Sequence, residues 1–121
     1  MNEWIKIPLT EPLSAIWSRP PFELVFKYKK LDIGADGYDY LEEHEIPDWL
    51  DGIKVILDVG VEITYLGRHC GEDEIGGIFC ANAEQWFLDP DNRIHVDNMI
   101  ANAEQMANEF MVRLKEDFNL K

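Results

Sequence analysis

Met99-Ile-Ala-Asn-Ala-Glu-Gln-Met-Ala-Asn-Glu-Phe-Met-Val-Arg-Leu-Lys-Glu-Asp-Phe118 is the stretch that decides the fold class. Met99, Ala103, Met106, Ala107, Phe110, Met111, Leu114 and Phe118 recur every three or four residues. That spacing gathers apolar side chains onto one stripe of a helix. Neither Gly nor Pro interrupts the run through Lys121. Asp97 or Asn98 offers a side-chain oxygen to cap its first turn. A helix of about 20 residues extends roughly 30 Å and covers one face of a small sheet.

Upstream, the chain reads as strands. Trp4–Leu9 alternates, and Phe22-Glu-Leu-Val-Phe-Lys-Tyr28 is rich in strand formers. Pro8, Pro12, Pro20 and Pro21 punctuate a loop between them, with one helical turn around Leu13–Trp17. Lys27, Lys29 and Lys30 suit an exposed sheet edge. Tyr38, Leu41 and Glu45 sit at helical spacing ahead of a turn begun by Pro47. Ile53–Leu57 and Val61–Leu66 read as two strands broken at Asp58-Val59-Gly60, with Ile75–Cys80 as a hairpin partner across an acidic loop. The expected fold is α+β: a mainly antiparallel sheet of about four or five strands, the long C-terminal helix, and one or two short helices. One domain over residues 1–121 accommodates it. Ala81-Asn-Ala-Glu-Gln85 recurs as Ala101-Asn-Ala-Glu-Gln105, which reads as two similar helix turns because the flanks do not match.

Apolar residues make up 46% of the chain and aromatics 12%, a supply that disordered chains lack. No run approaches the roughly 20 apolar residues of a membrane span, and the first residues do not read as a signal peptide. A cytoplasmic protein without membrane contact is the expectation. Charge is the outlier: 24 Asp and Glu against 11 Lys and Arg give a net charge of -13. Such a surface repels nucleic acid and attracts basic proteins at enhanced rates. The acids concentrate in 31–53 and 69–92, neither of which contains Lys or Arg.

Specific chemistry is harder to find. Asp32, Asp36 and Glu43, with Gly37, fall at positions 1, 5, 12 and 6 of a calcium-loop pattern, but Gly34 and Asp39 depart from it. Cys70 and Cys80 lie too far apart for a close zinc-ligand pair, and Glu72, Asp73 and Glu74 work against a Cys70 thiolate. Phosphate-loop, nucleophile-elbow and metalloprotease motifs do not occur. No catalytic residue, metal or cofactor is therefore expected. Cys80 reads as a core residue at a strand end, while Trp49 and Trp86 each sit beside acids as an aromatic anchor does, with the core of a small domain the commoner place for either.

These features favour an acidic protein inhibitor that covers a basic partner. Its most concrete form is an immunity protein neutralising a toxic bacterial nuclease, since nucleases are cationic where they hold phosphates. A phage-encoded antagonist of a host-defence nuclease obeys the same physics. The expected partner-binding residues are Asp36, Asp39, Glu42, Glu43, Asp48, Trp49, Asp51, Glu72, Asp73 and Glu74. The alternative is a small enzyme or ligand-binding protein with a cleft around His69 and Cys70, with His95 as a further reactive group.

Overall fold

A computed structural model describes residues 3–31 and 41–119. The sheet has four strands in chain order, all antiparallel: β1 (Ile5–Lys6), β2 (Phe22–Lys30), β3 (Val55–Tyr65) and β4 (Arg68–Cys80). With them come the helices α1 (Glu11–Ser14), α2 (Ile46–Leu50), α3 (Ala83–Leu88) and α4 (Arg93–Asn119). This is the α+β architecture that the C-terminal periodicity predicts. Among the described residues, no helix is long and apolar enough to cross a membrane.

Alternation along the strands sorts side chains to two faces. Leu24 and Phe26 of β2 and Leu57, Val59, Val61 and Ile63 of β3 enter the core. Leu13 of α1, Ala83, Trp86 and Phe87 of α3, and Val96, Met99, Ile100, Ala103 and Ala107 of α4 close it from the same side. The Phe87 ring meets Phe26 edge-on, with centroids 4.9 Å apart. Each large side chain so buried contributes about 1.5–3 kcal/mol.

The helix α4 seats unusually close to the sheet. A Cβ added to Gly71 of β4 would overlap the carbonyl oxygen of Ala103 and lie 3.2 Å from the backbone nitrogen of Ala107. Glycine at 71 and alanines at 103 and 107 are what let strand and helix backbones approach. Met106 falls off the buried stripe and is 43% exposed, contrary to the expected core face. The helix also begins at Arg93, before the expected cap at Asp97 or Asn98. The turn Pro90–Asn92 feeds directly into it, and Asp89 accepts from the Asp91 N–H at 3.0 Å. Asn82 caps α3 by accepting from Gln85 N–H at 2.9 Å, so the first copy of the Ala-Asn-Ala-Glu-Gln echo starts one helix and the second lies inside another.

Three local expectations are corrected. The break at Asp58-Val59-Gly60 does not exist, and β3 runs through it. Val59 is fully buried there, while Asp58 receives the Gly77 N–H at 3.1 Å and Lys29 at 3.6 Å. The acids Glu72-Asp73-Glu74 are not a loop. They lie within β4, and the hairpin turn is Leu66-Gly67, with φ of 50° and 80°. Lys27 and Lys29 do not mark a free edge either, because β2 pairs with β3 along its whole length and Lys27 is only 5% exposed. Helical character near Glu45 is found as a 3-10 turn, Glu43–Glu45, leading into α2 at Ile46. Tyr38, Asp36, Asp39 and most of the calcium pattern lie outside the described residues.

Candidate functional site

The sheet face opposite the helices is a lattice of charge. Lys27 and Lys29 point there because Leu24 and Phe26 point inward. Lys27 Nζ lies 2.9 Å from Glu72 Oε2 and 4.7 Å from the Trp4 ring centroid. Lys29 Nζ stands 4.9 Å from the same ring. The indole thus faces two ammonium groups, a cation–π arrangement that offsets their loss of water. Gly60 lies beneath, with its absent Cβ leaving 3.2 Å to the Lys27 Cε.

Glu62 and Glu72 are direct cross-strand partners, a pairing of like charges. Each is matched by a basic side chain: Glu72 by Lys27, and Glu62 by His69, whose Nδ1 is 3.0 Å away. The hydrogen bond from Lys27 is the main reason the Glu72 carboxyl sits below its ordinary value. Glu74, opposite Gly60, has no ion-pair partner among the described residues. Asp73 points to the other face and accepts from Asn102 Nδ2 at 2.8 Å, so it is structural cover for α4. The structure therefore divides the expected triplet: Glu72 is half-exposed and paired, Asp73 turns inward, and Glu74 faces solvent.

A second acidic surface is built by residues 41–53. Glu42 N–H donates to Glu45 Oε1 at 2.9 Å, which fixes the start of the 3-10 turn, and His44 lies 3.4 Å from Glu42. Pro47 suits the first turn of α2 because it lacks the N–H that such a position leaves unpaired. Glu43 and Asp51 are exposed, whereas Asp48 and Trp49 are half-buried. The apolar side chains that reach solvent are instead Leu50, 62% exposed, and Ile53, 60% exposed. Sequence reasoning chose Trp49 as the anchor and passed over this pair. The available signal was two large aliphatics three residues apart in a stretch otherwise full of acids and turn residues.

From Val55, where this segment enters the sheet, to Gly60 beside Glu74, a strand rise of about 3.4 Å per residue gives roughly 17 Å. Of the three remaining acids of 69–92, Glu84 sits 3.4 Å from the Thr10 hydroxyl, Asp89 caps a turn, and Asp91 lies in that turn, all in the helical layer. The long acidic stretch is thus divided between two layers.

His69 and Cys70 do not form a unit. His69 faces Glu62 on the charged side, while Cys70 is 6% exposed and its thiol donates to the Ile63 carbonyl at 3.3 Å. Burial, then the nearby Glu62 charge, pushes the Cys70 thiol up and away from reactivity. Burial also raises the Cys80 thiol, which packs against the core at the end of β4. Trp86 is a core residue as expected. His95 is exposed on α4. Grooves of about 710 and 570 Å³ flank β1, and neither is lined by His69 or Cys70. Among the described residues, no three His, Cys, Asp or Glu side chains converge on a point where a metal ion could sit.

Comparison with models of known protein families, with curated proteins and with solved structures gives no match to this chain.

Proposed function

We propose that this chain is an acidic protein inhibitor, which binds a basic protein and covers the surface that partner uses to hold phosphate groups. The observation that carries this reading is the surface of residues 41–53. Leu50 and Ile53 stand exposed in a segment that carries Glu42, Glu43, Glu45, Asp48 and Asp51 and no Lys or Arg before Lys54. An apolar centre inside a charged rim is the anatomy of a protein-binding patch. A rim of one sign selects a partner of the other and speeds the encounter. The concrete form is an immunity protein that neutralises a toxic nuclease, acting in the cytoplasm where the partner is made.

The test is capture of partners from the source cell on the immobilised chain, at ~0.1 M and at ~1 M salt. The screening length falls from about 10 Å to about 3 Å over that range. A basic protein should be retained at low salt, have its activity blocked by the free chain, and be lost at high salt. Glu43→Lys with Asp51→Lys should release it, and so should Leu50→Ser with Ile53→Ser. If the same proteins remain bound to all variants at both salts, the reading fails.

A further inference from the structure

β4 is the outermost strand of the sheet, so one row of its backbone N–H and C=O groups has no strand beside it among the described residues. Such an edge is a template for another extended chain. We infer that β4 receives a strand from the partner, and that this strand alternates basic with apolar side chains. The inference rests on the inhibitor reading and adds a mode of attachment to it.

The two faces flanking the edge set that alternation. On the charged face, Glu72 and Glu74 project beside the position an added strand would take. Basic side chains there would pair with them across the strands. On the other face, the Asn102 amide reaches Asp73 at 2.8 Å, which places that flank of α4 over β4. Met106 lies one turn further along the same flank and is 43% exposed. Apolar side chains of the incoming strand would fit beneath it, because successive residues of a strand point to opposite faces.

A second copy of this chain is a poor occupant. Two β4 edges side by side would bring Glu72 and Glu74 of each near those of the other, and like charges opposed across strands destabilise the pair. The same acids that discourage self-pairing favour a basic guest. The regular edge is bounded at both ends by shifts in the pairing with β3, one at Cys70 and one at Gly76-Gly77, where Gly77 has φ of 72°, so the usable length is Gly71 to Ile75.

The experiment is a titration of the full chain, followed by amide NMR shifts, with a capped heptapeptide alternating Lys and Val. Two further peptides separate backbone pairing from charge: the same sequence fully N-methylated, and the same composition with its lysines in one block. Shifts should centre on Gly71–Ile75, and affinity should fall at least about tenfold on N-methylation or blocking. Glu74→Lys should weaken binding, and Glu116→Lys, at an exposed position near the far end of α4, should leave it unchanged. Equal binding by the N-methylated peptide, no binding, or shifts centred on residues 42–53 would overturn the strand mode. The last of these would leave the inhibitor reading standing, whereas that reading falls only with the salt-dependent capture.

Discussion

Gly71→Ala is the sharpest test of how this fold is assembled. The new Cβ would overlap the Ala103 carbonyl oxygen, 3.1 Å from its carbon and 3.2 Å from the Ala107 nitrogen. All three atoms are backbone, so no rotamer change relieves the contact and α4 must lift from β4. Overpacked cores lose about 1–3 kcal/mol, and a rigid obstruction belongs at the upper end, about 3 kcal/mol. For 121 residues the unfolding entropy is about 0.25 kcal/mol/K, so Tm falls by roughly 12 °C. Gly67→Ala is the control: nothing lies within 4 Å, but φ is 80°, and the strain costs about 1 kcal/mol or roughly 4 °C. Thermal and denaturant unfolding followed by circular dichroism measures both. A second variant guards the interpretation. Ala103→Gly removes a side chain and leaves the carbonyl in place, so it cannot rescue Gly71→Ala. A loss of under about 2 °C, or rescue by Ala103→Gly, would show that the Ala103 carbonyl does not press on position 71.

Two further outcomes follow from the charged face and the hairpin. Glu72→Gln leaves the Lys27 ammonium, whose side chain is 7% exposed, facing a neutral amide, and it should cost about 2 kcal/mol. Lys27→Met frees a Glu72 side chain that is 46% exposed and already reaches water, so it should cost about 1 kcal/mol or less. Denaturant titration checks that order, and the reverse order would contradict it. The Glu72 carboxyl is held below its ordinary value of 4.5, so its contribution to stability is present above pH 4.5. It is lost as pH falls through the lower folded-state value, and Glu72→Gln should remove that part of the acid slope. Leu66→Asn should stabilise the fold by about 1 kcal/mol, because Leu66 has φ of 50° in a turn position that asparagine adopts readily. A lower Tm for that variant would show the turn is not left-handed in solution.

What could be read in advance was whatever depended on local periodicity. The α4 stripe from Met99 to Ala107 and the alternation of Phe22–Tyr28 are properties of short windows, and both elements form as expected. The misreadings share a different cause. Asp58 resembles a turn residue until Lys29 and the Gly77 N–H are beside it, and both come from other strands. Lys27 resembles an edge residue until Glu72 and Trp4 surround it. Glu72-Asp73-Glu74 has little strand propensity, and its pairing with Gly60–Glu62 overrides that. Of the candidate surface, the acids were visible as composition, whereas the exposure of Leu50 and Ile53 depends on how α2 is oriented.

The chain-order sheet has a consequence for synthesis. Every strand pairs with its neighbour in sequence, so the sheet can form as its residues emerge, with no strand waiting for a distant partner. The covering helix comes last. Until residues 93–119 are made, only α1 and α3 lie over the core face, and Val59, Val61 and Ile63 lack the cover that α4 supplies. At about 5–20 residues per second, that interval lasts roughly 1–5 s. During it the nascent chain is a β-sheet with one apolar face only partly covered, and the ribosome-bound stage is when the molecule is most exposed to aggregation.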